Sequence, residues 1–250
     1  MRRIHLAQIQ PGPMILPPDQ AHHLRDVLRL TEGDAIEVFD DIGHTAQAII
    51  ARATPTEVVV EVETVQSAPP AALSWIIASA IPKGSRVDWM IEKLSELGTA
   101  GFIPLAAARS VVLPEGTSKR QRWVRLAAEA AKQSHRTGVM QIEELASVDQ
   151  LLARHPAPAW YFSTAPSAIP LARAAEQLIQ PRRQSGQSLH LLIGPEGGWT
   201  DAEIELFRKA GLTPVSLGAT ILRIETAAVA AAAVAAAVLA PSMAMRPQTP

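Results

Sequence analysis

The run Leu191-Leu192-Ile193-Gly194-Pro195-Glu196-Gly197-Gly198-Trp199-Thr200 passes from continuous apolar residues into a glycine-rich turn and then into a helix signal. An apolar run bounded by turn residues suits a strand buried on both faces of a parallel sheet. Thr200 and Glu203 have the spacing of a capping box, which starts a helix and satisfies backbone N–H groups in its first turn. The glycines let main chain approach a ligand closely, and the N–H groups at the helix start point into the space above the strand end. The turn lacks the Gly-Lys-Ser/Thr ending of a P-loop and the Gly-x-Gly-x-x-Gly of a dinucleotide fold, so phosphate cradling is not implied. Taken alone, Gly197-Gly198 fits an ordinary strand-to-helix turn better than a ligand loop.

A second segment changes that balance. Leu217-Gly218-Ala219-Thr220-Ile221-Leu222-Arg223-Ile224-Glu225-Thr226-Ala227 is again a strand end, a glycine turn and a helix start. Arg223 and Glu225 stand among apolar residues, where charges are costly unless paired or used. The bland expectation is an Arg223–Glu225 pair that fixes the turn.

Outward from these two turns, apolar runs alternate with amphipathic ones, the pattern of an α/β domain. Strands are expected at Leu73–Ala80, Phe102–Leu105, Ala159–Ser163, Leu189–Ile193 and Thr213–Leu217. Helices are expected from Ser85, with Asp88 completing its cap and Gly98 ending it, and at Ser118–Ser134, Leu171–Ile179, Asp201–Ala210 and Thr226–Leu239. Before Leu73 the pattern is different. Short β-branched runs at Ala35–Phe39, Thr45–Ala51 and Val58–Val65, split by turn clusters, read as a small β-rich domain, with one short helix over His22–Leu30. Ser67-Ala68-Pro69-Pro70-Ala71 is the linker candidate.

Composition narrows the function classes. The chain has 250 residues, 48% of them hydrophobic and 19% charged, and carries a net charge of −1. That balance excludes a protein that coats nucleic acid through overall basicity. Charge is nevertheless uneven: residues 1–70 hold 5 basic and 10 acidic side chains, whereas Arg109, Lys119, Arg120, Arg122, Arg125, Lys132 and Arg136 face only Glu115 and Glu129 in their segment. This basic stretch is either a solvated helix face or a phosphate-contacting surface. With no cysteine there is no disulfide or thiolate metal site, and the histidines, including His22-His23, His135 and His155, lack ligand spacing, so no metal is expected. The longest apolar run, Ala227–Ala240, is mostly alanine and shorter than the roughly 20 residues that span a bilayer. A cytoplasmic protein without membrane association is expected.

Together the two glycine turns resemble those of the ribosomal RNA small-subunit methyltransferase E family, in the SPOUT superfamily, where an Ile-Gly-Pro-Glu-Gly-Gly loop precedes a Leu-Gly-x-x-Ile-Leu-Arg-x-Glu-Thr-Ala segment. Further stretches match that family in order: His23-Leu24 with Val27-Leu28-Arg29-Leu30, Lys83-Gly84, Glu92 through Gly98, Arg109-Ser110-Val111-Val112 and Gln133-Ser134-x-Arg136. The resemblance spans His22 to Ala227. The chain departs from the family at Ala219-Thr220, often Pro-Arg, at Met140, near which proline is usual, and at Asp41, near which glycine is usual.

The resemblance implies an α/β SPOUT domain over 72–242 with a trefoil knot, preceded over 1–68 by a PUA-like RNA-binding β-barrel domain. Pattern alone would not suggest a knot, since threaded chains are rare. It further implies a homodimer that binds S-adenosyl-L-methionine (SAM) and methylates N3 of a uridine, position 1498, in 16S rRNA of the 30S subunit. Cofactor contacts would come from Leu192, Ile193, Gly194, Pro195, Glu196, Gly197 and Gly198 in the first loop. In the second they would come from Leu217, Gly218, Ile221, Leu222, Arg223, Glu225, Thr226 and Ala227, and in a third loop from Ser163 and Thr164.

Uridine loses its N3 proton as it accepts the methyl group, so a guanidinium near the uracil oxygens would stabilise the developing charge. Arg136 and Arg223 are the candidates, with Glu196 as a proton acceptor or orienter. Arg25, Arg29, Arg109, Lys119, Arg120, Arg122, Arg125 and Arg136 are candidates for RNA contact. A SPOUT enzyme acting on tRNA or on a ribose hydroxyl is one alternative, and a non-catalytic ribosome assembly factor is another. The N-terminal β domain with Gln133–Arg136 weighs against the first, and the two intact glycine turns weigh against the second.

Overall fold

The computed structural model describes residues 2–69, 73–114, 116–154, 158–178 and 187–239. Pro70 and Ala71 of the expected linker, Ala72 at the expected domain start, Glu115, His155, Ile179 and residues 240–242 lie outside the described residues. The chain forms two compact units. Sequence patterning suggests two contiguous stretches, whereas the structural units interleave: the first holds residues 1–69 with Ala128–Met140, the second 70–127 with 141–250.

In the first unit, β1 (Arg2–His5) and β2 (Gly12–Ile15) are followed by α1 (Pro18–His22). Then come β3 (Ala35–Phe39), β4 (His44–Ala53), β5 (Val58–Val62) and β6 (Gln66–Ser67). They make one mixed sheet in the order β1-β3-β4-β5-β2, with β6 on β4 and only the β1–β3 pair parallel. Alternate residues point inward, so Val58, Val60 and Val62 meet Ile36, Val38, Ala48 and Ile50 in one core. The single helix expected over His22–Leu30 is instead split. Pro18 supports an earlier start, as a residue without an N–H can at a first helical position. A π-helical turn then covers His23–Val27. Leu28 N–H reaches His23 O, and Arg29 at φ 56° turns the chain so that Leu30 N–H bonds Leu24 O. The wider turn leaves Leu24 fully buried.

The second unit begins with β7 (Leu73–Ser79), α2 (Arg86–Glu96) and β8 (Gly101–Ala106). Helix α3 (Thr117–Gln133) crosses the division at Ala127, and β9 (Gln141–Ile142), β10 (Ala146–Ser147) and α4 (Val148–Arg154) follow it. Next come β11 (Ala159–Phe162), β12 (Ile169–Pro170), α5 (Leu171–Leu178), β13 (Gln187–Ile193), α6 (Asp201–Lys209), β14 (Thr213–Ser216) and α7 (Ile224–Leu239). All pairings are parallel, in the order β10-β8-β7-β13-β11-β14-β12 with β9 beside β8. Strand β13 therefore lies between two strands that precede it in the chain. Leu189, Leu191, Leu192 and Ile193 in β13 are all buried, as the apolar run demands.

Two local expectations change. Ser85 makes no side-chain cap; its carbonyl takes the Asp88 N–H, while Arg122 holds the Asp88 carboxylate at 2.9 Å. Helix α7 starts at Ile224, two residues before the expected Thr226. Its Ala228, Ala231, Ala232 and Ala235 are buried and let it lie closely against α2 and α5. The small residues thus serve packing inside this unit.

Phe207, fully buried, anchors one layer of the second unit, with Tyr161 at 4.7 Å and Trp199 edge-on at 4.9 Å between ring centroids. Phe207→Ala should lower unfolding free energy by about 3–5 kcal/mol. Urea unfolding followed by circular dichroism measures this, and a loss below about 1 kcal/mol would mean that the layer closes over the gap.

Candidate functional site

Parallel neighbours release their chains on the same edge, and ligands of open α/β sheets sit beyond the carboxyl ends of the strands. Strands β13, β11 and β14 are adjacent, with Leu192 beside Tyr161 and Phe162 beside Val215. The loops after Ile193, Phe162 and Ser216 consequently leave the sheet side by side. Ser163, the first residue past β11, donates its N–H to Val215 O, and its hydroxyl accepts from Ala165 N. Thr164 beside it is exposed.

The first loop is held by its own side chains. Trp199 Nε1 donates to Phe162 O at 2.9 Å, which carries the indole back across the loop. A Cβ at Gly194 would lie 2.8 Å from that ring, so glycine is required there by Trp199. Gly198, at φ 72°, closes a tight turn through its N–H to Pro195 O. Thr200 forms the expected capping box: Glu203 N–H donates to Thr200 Oγ, and Glu203 Oε2 accepts from Thr200 N and its hydroxyl. The other carboxylate oxygen accepts from Ala108 N at 2.8 Å. Arg109 Nη1 donates to Gly197 O at 2.8 Å and Trp199 O at 3.3 Å.

The second loop departs from expectation. Arg223 is exposed, and Glu225 is paired not with it but with Arg86, Nη1 to Oε1 at 3.0 Å. Arg86 Nε also donates to Lys83 O, so one guanidinium joins the Lys83-Gly84 stretch to the start of α7. Glu225 is 6% exposed, and its Oε2 has no partner among the described residues. Gly218 differs from Gly194, since a Cβ there would meet no atom within 4 Å. Ile221 is 88% exposed, Leu217 and Leu222 are half-buried, Thr226 is exposed and Ala227 is buried.

A small open cleft lies beside these loops, lined by Ala80, Ile81 and Lys83 after β7, by Ser110, Val111 and Val112 after β8, by Pro195 and Glu196, and by Ile224. Of the expected site residues it includes Pro195 and the exposed Glu196. Ala80, Ile81, Ser110 and Arg86 were not expected; only the Lys83-Gly84 and Arg109–Val112 motifs pointed toward them.

The expected RNA contacts are differently engaged. Arg120 Nε donates to Ile142 O and Arg122 pairs with Asp88, while Lys119 and Arg125 are exposed on α3. In the first unit, Arg25 donates to Thr54 O and Pro55 O, and Arg29 is exposed. Arg136 belongs to that unit too, and burial pushes its guanidinium down to about 10, so it stays charged at neutral pH. Among the described residues no group of three or more metal-ligating side chains occurs. None of the helices described is long and apolar enough to cross a membrane.

Comparison with known proteins adds the following. The model of an RNA methyltransferase domain matches residues 69–236, and that of an RNA methyltransferase PUA domain matches residues 16–63. Ribosomal RNA small subunit methyltransferase E of Bacillus subtilis is 34% identical over 230 residues, covering 88% of each chain. The crystal structure of the Neisseria gonorrhoeae protein of the same name, bound to S-adenosyl methionine, is 26% identical with a TM-score of 0.78, over 94% of this chain and 96% of that one. A Legionella pneumophila protein solved with bound SAM is 29% identical with a TM-score of 0.78, over 94% of this chain and 97% of that one.

The glycines make opposite demands, which a stability measurement separates. Gly194→Ala pushes against an indole pinned by Phe162 O and Phe207 and should cost about 1–3 kcal/mol. Gly218→Ala should leave unfolding within about 0.5 kcal/mol of the parent. Equal melting temperatures for the two variants would contradict the role given to Trp199.

Proposed function

The chain belongs to the ribosomal RNA small subunit methyltransferase E family of RNA methyltransferases, and from that membership we propose that it transfers the methyl group of SAM to N3 of a uridine, position 1498, in 16S rRNA of the 30S subunit. The observation that carries the reading is the convergence of three strand-end loops on one edge of the parallel sheet, beside a cleft lined by Pro195, Glu196 and Ile224.

The residues present suit a sulfonium nucleoside. Main chain of Leu192–Gly198 and of Leu217–Gly218 offers N–H and C=O groups without a phosphate-binding pattern. The open face of Gly218 leaves room for a ligand, and the orphan oxygen of Glu225, held by Arg86, is an acceptor for an incoming N–H. Ser163 and Thr164 after β11, Ile221 and Leu222 of the second loop, and Thr226 and Ala227 at the start of α7 are the other proposed cofactor contacts. When bound, SAM supplies an electrophilic methyl group.

The chain's own part is positioning and charge. Orienting the acceptor nitrogen in line accounts for much of such a rate. Arg223, exposed at the second loop, and Arg136, still cationic at neutral pH, are the proposed partners of the uracil oxygens as negative charge develops there. Glu196, exposed on the cleft wall, is the proposed proton acceptor or orienter. Lys119 and Arg125 are the most available of the proposed RNA-gripping residues on α3, and Arg25 and Arg29 would act from the PUA-like unit. The slot filled by β13 between β7 and β11 supports a knotted path for the chain. Ala233 and Ala237, exposed on α7, leave an apolar face that suits a homodimer. The division into a PUA-like RNA-binding domain over 1–68 and a SPOUT domain over 72–242, and a cytoplasmic location, complete the proposal.

Purified protein incubated with radiolabelled SAM and 30S subunits should label 16S rRNA, and digestion to nucleosides should return the label as N3-methyluridine. Label on ribose, label on tRNA alone, or none would sink the reading. Arg223→Ala and Arg136→Ala should each depress the single-turnover rate by roughly 100-fold at saturating RNA and cofactor, the scale of a lost oxyanion donor. Gly218→Val should weaken S-adenosylhomocysteine binding in calorimetry while its melting temperature stays at the parent value. Normal rates in both arginine variants would remove them from catalysis and leave the cofactor site standing.

A further inference from the structure

The segment after β8 is fastened to the first loop from several directions. Ala108 N–H enters the buried Glu203 carboxylate, and the Arg109 guanidinium caps the carbonyls of Gly197 and Trp199. The Arg109 stem lies on Gly197, where an added Cβ would sit 3.3 Å from the Cβ and Cδ of the arginine. Ser110 closes the turn, its N–H donating to Ala107 O and its hydroxyl accepting from Ala107 N. Immediately beyond, Ser110, Val111 and Val112 line the cleft that Pro195 and Glu196 also line. Val111 is 73% exposed there, an apolar side chain presented to solvent by a tethered turn.

Two of the five guanidinium donors, both on Nη1, are aimed at backbone carbonyls of the first loop, which fixes the direction of the fork against that loop and leaves it less free to follow a phosphate. The position read as an RNA contact therefore acts on the protein. Resting on the functional reading above, we infer that Arg109 is a positioning residue that locks the β8–α3 turn onto the cofactor loop, and that the turn holds Val111 as an apolar wall against the face of the acceptor pyrimidine. The lock sets the loop carbonyls of Gly197 and Trp199 and the wall together, so cofactor affinity and acceptor placement share one side chain.

Salt dependence separates the two roles for Arg109. A phosphate contact contributes roughly 0.7–0.9 to the log–log slope of RNA binding against salt. Arg109→Ala should leave the slope for 30S binding unchanged and weaken S-adenosylhomocysteine binding roughly tenfold, the scale of a lost charge-assisted hydrogen bond, at unchanged stoichiometry. Unchanged stoichiometry shows that the folded fraction is intact, which a merely destabilising substitution would not preserve. Arg109→Lys, less disruptive, keeps the charge but not the fork, so it should retain the slope and recover the affinity only in part. Val111→Ser should raise the RNA concentration giving half-maximal rate several-fold without altering S-adenosylhomocysteine affinity. A slope reduced by about one phosphate with cofactor affinity intact would overturn the lock, as would full recovery by lysine. An unchanged RNA requirement in Val111→Ser would overturn the wall. Wild-type protein that binds no S-adenosylhomocysteine would instead defeat the functional reading itself.

Discussion

Glu203 is a carboxylate buried to 6% exposure, and a buried charge is tolerated only when it is well hydrogen-bonded. Both its oxygens are used: one by the Thr200 backbone and hydroxyl, the other by Ala108 N, 95 residues away. The first set fixes where α6 begins and so where the loop after β13 must end. The second fixes the turn after β8 against that loop. Trp199 sits one residue before the cap, which is why its indole can reach Phe162 O and close over Gly194. Three stretches of chain are thus registered by one side chain whose own position is set by α6.

What could be read from sequence was local or came with the family resemblance. The capping box follows from a three-residue spacing, β13 from an apolar run, and Gly98 from its place at a helix end, where it adopts φ 84°. What escaped reading depends on distant partners. Asp88 has the right spacing to serve the Ser85 cap, but Arg122 occupies it. Arg223 and Glu225 are near in sequence and look like a pair, yet the carboxylate turns inward to Arg86, 139 residues earlier. Strand β1 carries two arginines in four residues, which conceals it, and Arg3 is buried through Glu37 at 3.2 Å and the face of Phe39 at 4.3 Å. Nor could any periodicity reveal that β13 sits between β7 and β11, because register and strand order are decided by the whole sheet.

The distribution of charge makes more sense once partners are known. Several arginines of the basic stretch have structural duties: Arg109 on the loop carbonyls, Arg120 on Ile142 O and Arg122 on Asp88. Exposed ion pairs contribute little to stability, typically under about 1 kcal/mol, so Arg122 can leave Asp88 for a phosphate at small cost. Arg109 and Arg120 hold backbone carbonyls and have less freedom to exchange. A nearly neutral chain therefore keeps its mobile positive charge on few side chains, which favours a selective encounter over a general affinity for polyanions.

The place of β13 also bears on how the protein is made. During synthesis β7 and β11 leave the ribosome before the strand that will separate them, so until then each has an edge of unpaired N–H and C=O groups toward the slot. These edges cannot join directly without closing the slot against β13, and while they stay exposed they risk pairing with another chain. Pairing across such sequence distances is slow to form. A chain stopped short of Gln187 would hold β7 to β10 as a partial sheet and leave β11 and β12 without a partner strand, because β13 and β14 both come later, so a ribosome stalled there releases a product that quality control must remove.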